Sequence, residues 1–344
     1  MSPAPRPRAA FVILTRNDPI TKTHLKNCLY FLFRHFNARF RYPVIILHEG
    51  DFDPAAQEEI LLGVRASCRA LVSFYAIDKA DFEVPAFLDA DKIARCIETK
   101  PVPYWRNLGY RHMCRFYTKN VWKYVQGFDY VCRLDSDSII EEPIDHDIFQ
   151  WMAEKDLVYA SPILHIDCAV TLYGFKDLVS KIVADLAPTK RDVFEGMFMK
   201  QTIPLKDFRF ANFRRFLTVF HDQQPPPMAD SMDLHTCMNY YQNMHITKVS
   251  FWSRPEVQEA IERIDRSGLI YYARLGDAPI HTVLVGLFAE PSQVRKMNLR
   301  YSKRMQREAF PGDDNKLHVF MPDTYDKSSC ITETMDDKAK AATA

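Results

Sequence analysis

The chain has 344 residues, of which 47% are hydrophobic and 13% aromatic, enough apolar material for one large core or two closely joined lobes. Forty-five Lys and Arg balance forty-four Asp and Glu without a dense basic run, which argues against a nucleic acid partner. The ten glycines form neither a dinucleotide fingerprint nor a phosphate-binding loop, which argues against dehydrogenases and kinases.

At the start of the chain, short apolar runs alternate with segments whose apolar residues recur at helical spacing. The runs at 9–14, 44–47 and 71–76 predict strands, and the spacing of Leu25 to Phe36 and of 54–64 predicts helices between them. This alternation predicts an α/β fold with a mostly parallel sheet, whose ligand lies beyond the carboxyl ends of the strands. The polar residues that follow the first strand are then at the mouth of a site, or else form an ordinary turn; they are Thr15, Arg16 and Asn17.

Later segments predict further elements within one composite domain. We expect a helical stripe from Met113, strands at 129–134 and 157–160, and helices at 255–265 and 278–288, whereas 188–227 is poorly patterned. We expect an N-terminal extension at 1–8, one domain at 9–330 and a loose C-terminal tail at 331–344. Within the domain, we expect 9–137 to be the nucleotide-binding half and 138–330 the acceptor-binding half.

Asp135 and Asp137 follow the strand at 129–134. Two carboxylates at this spacing can turn toward the same side and share a hard divalent cation, although a solvated turn is the alternative. Such an ion can neutralise a departing diphosphate. His281 lies near a predicted helix start and is a possible third ligand for Mn²⁺, with a satisfied core histidine as the alternative.

Several separated strings resemble one family, the fungal Golgi α-1,2-mannosyltransferases of glycosyltransferase family 15. The most specific are Tyr-Arg-His-Met-Cys-Arg-Phe and Gly-Asp-Ala-Pro-Ile-His, and the matching segments occur in the family's order at 15–17, 110–116, 130–137, 173–175 and 271–281. The resemblance spans about residues 9 to 300.

The resemblance implies a GT-A fold and transfer of mannose from GDP-mannose, with retention of configuration, onto the 2-hydroxyl of a mannoside, an oligosaccharide or a glycoprotein. It implies Mn²⁺, with Mg²⁺ as a substitute. By position in the motifs, Asp135, Asp137 and His281 are the expected metal ligands. The residues expected to bind the nucleotide-sugar are Thr15, Arg16, Asn17, Tyr110, Arg111 and Arg115.

One departure from the family concerns catalysis. The family has Asn-Phe-Glu-Ile in a motif considered for the nucleophile, and the matching string here places His245 where the glutamate stands. Retention by double displacement needs a carboxylate beside the anomeric carbon. Either another acid serves, with Asp230 and Asp233 as candidates, or the departing diphosphate guides the acceptor in from the same face. A different sugar donor, or binding of nucleotide-sugar without transfer, is the remaining alternative.

The family is normally anchored in the Golgi membrane by an N-terminal segment. The apolar run near the start of this chain is too short for a signal-peptide core or a span, so any membrane contact requires an anchor that the sequence does not contain. The resemblance implies the Golgi lumen, and a cytoplasmic location is the alternative.

Overall fold

A seven-stranded sheet forms the centre of the fold. The computed structural model describes residues 5–222, 230–303, 308–311, 316–320 and 331–334. The order of the sheet's strands is β11-β6-β10-β4-β1-β2-β3. These strands are β1 (Ala9–Leu14), β2 (Val44–His48), β3 (Val72–Ala76), β4 (Tyr130–Leu134), β6 (Tyr159–Ser161), β10 (Met244–Lys248) and β11 (Val294–Lys296).

The central strand β1 is buried on both faces, as its continuous apolar run predicts. Ala10 and Val12 point into one hydrophobic cluster, and Phe11 and Ile13 point into the other. Successive side chains of a strand alternate between faces, so one apolar run supplies both cores. The two clusters are the packing layers between the sheet and the helices that cover it.

The sheet is mostly parallel, which confirms the predicted fold class. β1 pairs in parallel with β2 and β4, and β2 with β3. β10 is the exception, because it runs antiparallel to both β4 and β6. β10 was not predicted as a strand, since its string of Met, His, Ile, Thr and Lys is short and only partly apolar.

Smaller sheets lie beside the central one. The segment 188–227, poorly patterned in sequence, contains the helices Arg191–Met197 and Ala211–His221 and the strand β8, which pairs antiparallel with β9. β12 pairs antiparallel with β5 directly after the predicted metal-binding acids. The backbone of 331–334 forms a strand against β14, whereas 335–344 of the expected tail lie outside the described residues. The remaining strands are β5 (Ser138–Ile140), β7 (Leu164–Ile166), β8 (Phe198–Ile203), β9 (Met232–Tyr240), β12 (Tyr301–Lys303), β13 (Glu308–Pro311), β14 (Lys316–Phe320) and β15 (Ile331–Thr334).

Helices cover the sheet, and their starts follow local capping rules. Asp18 accepts a hydrogen bond from the Thr21 backbone N–H at the start of the first helix, where Pro19 takes the first position. None of the helices in the described part of the chain combines the length and the apolar composition that a membrane span requires. The α-helices are Pro19–Leu32, Ala38–Phe40, Pro54–Leu61, Ala66–Arg69, Ala90–Thr99, Leu108–Arg115, Val121–Tyr124, Ile148–Glu154, Phe175–Leu186, Arg191–Met197, Ala211–His221, Val249–Trp252, Pro255–Arg266, Leu269–Tyr272 and Asp277–Phe288.

Candidate functional site

An open cleft of about 610 Å³ lies at the carboxyl ends of β1 and β4. These strands are parallel neighbours, so the residues that follow them meet at one edge of the sheet. Thr15, from the end of β1, and Ser136, from the end of β4, line the same cleft. A cleft therefore lies at the edge where the sequence predicts the site. The other lining residues are Leu14, Arg16, Thr21, Glu49, Phe82, Pro103, Tyr104, Arg106, Asn107, Gly109, Tyr110 and Met113.

The three residues after β1 have different roles. Thr15 lines the cleft, and its buried Oγ1 has no hydrogen-bond partner in the described structure. Arg16 also lines the cleft and is exposed, with Nε 2.5 Å from Asp18 Oδ2. Asn17 fastens the loop instead, because its backbone N–H donates to Asp51 Oδ2 and its side chain donates to the Asp51 carbonyl.

Tyr110 lines the cleft in front of a buried guanidinium. Arg274 Nη2 donates to the Tyr110 hydroxyl over 3.3 Å, and the guanidinium lies 4.8 Å from the Tyr110 ring and 5.6 Å from the Tyr104 ring. Arg274 is 7% exposed, its Nε has no hydrogen-bond partner, and it forms no ion pair with a carboxylate of the described residues. A buried cation of this kind is costly unless an anion compensates it. Burial raises the pKa of Tyr110 well above its usual value, so the phenol stays protonated.

The structure does not bring Arg111 and Arg115 to the cleft. Arg111 is fully buried and donates to the carbonyl oxygens of Tyr271 and Trp105. Arg115 forms two hydrogen bonds with Asp265, of 2.7 and 3.0 Å, on the helix Pro255–Arg266. Both guanidinium groups therefore join elements of the scaffold, and nucleotide binding by either is not supported by its contacts.

Asp135 lies next to the cleft with its hydrogen-bonding capacity filled. Its Oδ1 accepts from Arg133 Nε and Nη2 at 3.1 and 2.9 Å, and its Oδ2 accepts from Asn243 Nδ2 at 2.6 Å and Lys303 Nζ at 3.0 Å. An ionised carboxylate has about four lone-pair sites, and four bonds occupy them. Burial alone would raise the pKa of Asp135, but Arg133 and Lys303 outweigh it and hold the pKa below its usual value.

Arg133 links this acid to the helix Asp277–Phe288. Its Nη1 pairs with Asp277 Oδ2, and its guanidinium lies 3.4 Å from the centre of the Tyr117 ring. Lys303 also reaches Asp137, with Nζ 3.4 Å from Oδ1. We call these residues the acid cluster, defined as Arg133, Asp135, Asp137, Asp277 and Lys303.

His281 follows Asp277 by one turn of the same helix, and it faces the core. Its Nε2 donates to the Tyr117 carbonyl over 3.1 Å, and its ring centre is 4.3 Å from that of Trp252. Its Nδ1 is buried without a hydrogen-bond partner. Burial lowers the pKa of His281 to about 4, so the imidazole is neutral and can act as a ligand.

The structure does not assemble the three predicted metal ligands. Within its described residues, no three His, Cys, Asp or Glu side chains form a group that could hold an ion. The oxygens of Asp135 and Asp137 are of the chemical type that Mn²⁺ and Mg²⁺ prefer, and Lys303 contacts both. The metal role of Asp135, Asp137 and His281 therefore stays a prediction.

His245, at the position of the family's glutamate, and the two candidate acids Asp230 and Asp233 all lie outside the cleft lining. His245 is 2% exposed on β10, where it stacks on Tyr159 with ring centres 5.0 Å apart. Burial, with His281 and Arg133 nearby, holds the pKa of His245 well below its usual value. Asp230 pairs with Lys206 at the surface, and Asp233 on β9 pairs with Lys200 on β8. Among the residues that the structure describes, neither aspartate contacts the acid cluster.

Sequence reasoning named Arg16 but missed three other cations in or beside the site, Arg133, Arg274 and Lys303. Arg133 could have been noticed, because it interrupts an otherwise apolar strand. Arg274 adopts a left-handed backbone with φ of 59° and lies within the matching segment 271–281, two residues before its Gly-Asp-Ala-Pro-Ile-His string. Lys303 gives no local signal, since only the pairing of β12 with β5 brings it over the acids.

Comparisons with known proteins identify similar chains. The model of the family described as glycolipid 2-alpha-mannosyltransferase matches residues 2–315. Among curated relatives, the O-glycoside alpha-1,2-mannosyltransferase omh1 of Schizosaccharomyces pombe is 25% identical over 301 residues, which cover 86% of this chain and 68% of that protein.

Two solved structures are similar to this fold. Core-mannan synthase A (CmsA/Ktr4) of Aspergillus fumigatus, in a Mn/GDP form, has a TM-score of 0.68 at 19% identity, over 88% of this chain and 76% of that one. The mannosyltransferase Ktr4p of S. cerevisiae, in complex with GDP, has a TM-score of 0.69 at 18% identity, over 96% and 79%. At such identities the likeness establishes the fold, and the predicted GT-A class is confirmed.

Proposed function

This chain belongs to the glycolipid 2-alpha-mannosyltransferase family, and we propose that it transfers mannose from GDP-mannose onto the 2-hydroxyl of a mannoside or glycan with retention of configuration. It is thus a glycosyltransferase enzyme of the mannosyltransferase class. The observation that carries the proposal is the cleft at the ends of β1 and β4, which joins Thr15, Arg16 and Tyr110 to the acid cluster through Ser136.

The donor diphosphate is the group that the cleft suits best. Arg16 and Arg106 line the cleft, and Arg274 lies behind Tyr110 without an acidic partner among the described residues. Charge-assisted hydrogen bonds from guanidinium to phosphate are about twice as strong as neutral ones. We assign the diphosphate to this cationic end, with Thr15 Oγ1 as a further donor. The GDP in the two Ktr4 structures supports guanine as the base of the donor.

A divalent ion would bind at Asp135 and Asp137, with His281 as the third proposed ligand. The carboxylates suit Mn²⁺ or Mg²⁺, and the unpartnered Nδ1 of His281 keeps a lone pair available. When bound, the ion would act as a Lewis acid on the departing diphosphate. The Mn/GDP form of the Aspergillus protein supports manganese.

Retention is best explained without a protein nucleophile at position 245. His245 is neutral, buried and stacked on Tyr159, so it offers no carboxylate to the anomeric carbon. Asp230 and Asp233 belong to the surface of the β8–β9 region. We therefore favour approach of the acceptor from the face that the diphosphate leaves, with the departing phosphate accepting the hydroxyl proton.

Calorimetry and product analysis test the proposal. GDP-mannose, GDP and UDP-sugars are titrated with and without Mn²⁺, and transfer to α-methyl mannoside is followed by the anomeric signal of the product. We expect tighter binding of GDP-mannose than of UDP-sugars, and an α-1,2 product. Preference for a UDP-sugar would overturn the donor assignment. Tight binding with no transfer to any mannoside would favour a nucleotide-sugar-binding protein instead.

A matched pair of variants locates the site. Asp135→Asn should abolish transfer, and its Tm is measured alongside because the amide also loses the ion pairs with Arg133 and Lys303. Asp145→Asn is the control, because Asp145 is an exposed aspartate whose side chain contacts His146. Equal turnover by both variants would remove Asp135 from the mechanism.

We place the enzyme in the Golgi lumen, in keeping with the family's glycan substrates, and its two halves at 9–137 and 138–330. Localisation of the full-length gene product by fluorescence tests the compartment. A purely cytoplasmic distribution would contradict it.

A further inference from the structure

The Lys303 ammonium group bridges the two acids that the proposed function assigns to a metal. It lies 3.0 Å from Asp135 Oδ2 and 3.4 Å from Asp137 Oδ1. Lys303 is opposite Ser138 in the β12–β5 pair, so the backbone register fixes the lysine directly over Asp135-Ser136-Asp137. The pairing is thus built into the fold through β12.

Withdrawal of the Lys303 ammonium group makes the net charge of the acid cluster more negative. Three carboxylates face two cations, which leaves one net negative charge. Without the ammonium group the cluster has two net negative charges, which match one divalent ion. Coulomb energy between groups 3–4 Å apart in a partly buried site is large enough to decide which cation stays.

The hydrogen bonds of Asp135 also indicate that Lys303 is the partner that a metal ion would displace. All four lone pairs of the carboxylate accept hydrogen bonds, and both on Oδ1 accept from Arg133. Arg133 is itself held in place by Asp277 and the Tyr117 ring. Asn243 is anchored by the β10 backbone beside it, where its carbonyl accepts from the Asp135 N–H. Lys303 is the partner with a long flexible stem, and a quarter of its side chain is exposed. Its withdrawal frees one lone pair on Asp135 Oδ2 and removes the ammonium group from Asp137 Oδ1 at the same time.

We propose that Lys303 is an internal competitor for the metal, so that a divalent ion binds Asp135 and Asp137 only when the lysine side chain withdraws. This inference rests on the proposed function, because it presumes that these acids bind the ion. The competition weakens the intrinsic metal affinity, and an anionic donor that attracts the released ammonium group would restore it.

The test measures binding of Mn²⁺ alone to the intact protein, from the electron paramagnetic resonance signal of the free ion. Lys303→Met keeps the stem and removes the charge, and we expect its Kd for Mn²⁺ to fall at least about tenfold, which corresponds to 1.4 kcal/mol. Lys248→Met is the matched control, since Lys248 forms a 2.6 Å ion pair with Asp156 at the other end of β10, and it should leave the Kd unchanged. Lys303→Gln is a second variant in case the first does not fold.

A double variant distinguishes failure of this inference from failure of the proposed function. Asp135→Asn combined with Lys303→Met should lose the gain in affinity, which shows that the gain arises at these acids. If Lys303→Met and Lys303→Gln bind Mn²⁺ no more tightly than the wild type, the competitor role is refuted. The proposed function survives that result if Asp135→Asn still abolishes Mn²⁺ binding and transfer, and it fails if Asp135→Asn changes neither.

Discussion

Asp265→Asn tests whether Arg115 belongs to the scaffold or to the nucleotide site. The side chain of Asp265 is 2% exposed and accepts from Arg115 twice and from Lys119 at 2.6 Å. Breaking a buried ion pair costs roughly 3–5 kcal/mol, because a desolvated charge loses its partner. The entropy of unfolding for 344 residues is about 0.7 kcal/mol/K, so the apparent Tm should fall by about 4–7 °C.

The control and the pH dependence sharpen this prediction. Glu262 is the other partner of Lys119, and its side chain is 36% exposed. Glu262→Gln should therefore lower the free energy of unfolding by less than about 1 kcal/mol. Burial would raise the pKa of Asp265, but Arg115 and Lys119 hold it below its usual value. The stabilisation is therefore complete above pH ~4 and is lost as the pH falls through the folded-state pKa. Scanning calorimetry measures Tm, and GDP titration measures affinity. A stable Asp265→Asn protein with weakened GDP binding would refute the scaffold role.

Three further predictions concern the cleft and the histidine beside it. Arg274→Met should weaken GDP binding about 10- to 100-fold in calorimetry, at nearly constant Tm, because charged hydrogen bonds contribute about 1.5–3 kcal/mol and no carboxylate loses its partner; unchanged affinity would remove Arg274 from the phosphate site. Glu49→Gln should reduce transfer by about tenfold or less if no carboxylate of the cleft is the nucleophile, and a fall of roughly 10⁴–10⁶ would identify Glu49 as that group. His245→Gln should flatten the dependence of Tm on pH between about 6.5 and 5. In this range the imidazole of the unfolded chain takes up a proton, whereas the buried imidazole of the folded protein, with its lowered pKa, does not. An unchanged slope would contradict the inference that His245 is neutral in the folded protein.

The sequence predicted the edge of the sheet where the cleft lies because that edge depends on local patterns. Buried strands end at Leu14 and Leu134, and the polar residues after them line one cleft once β1 and β4 pair. The helix at Asp277–Phe288 was also predictable from its spacing. β8 and β10 were not, since short strands of mixed character gain their stability from their neighbours rather than from their own pattern.

The partners of the charged residues could not be predicted, because they are tertiary contacts. Arg133 and Asp277 are 144 residues apart, and Arg115 and Asp265 are 150 apart. The motif that contains Tyr110, Arg111 and Arg115 is helical, so its members face different directions. Only the packing of that helix decides that the tyrosine faces the cleft while both arginines face the core.

The neutral side chain at position 245 and the full set of hydrogen bonds to Asp135 both bear on how the charge of Arg133 is compensated. Position 245 is directly opposite Arg133 in the antiparallel β10–β4 pair, so the two side chains share a face of the sheet. A glutamate there, as in the family motif, would give the guanidinium a third carboxylate. Because the imidazole of His245 is neutral, the positive charge of Arg133 is compensated by Asp277 and Asp135. Arg133 therefore occupies the lone pairs on Oδ1 of Asp135. A histidine at this position thus provides no carboxylate nucleophile, and it leaves Arg133 bound to the acid that we propose as a metal ligand. Both effects favour a reaction in which the departing diphosphate, rather than the protein, directs the acceptor.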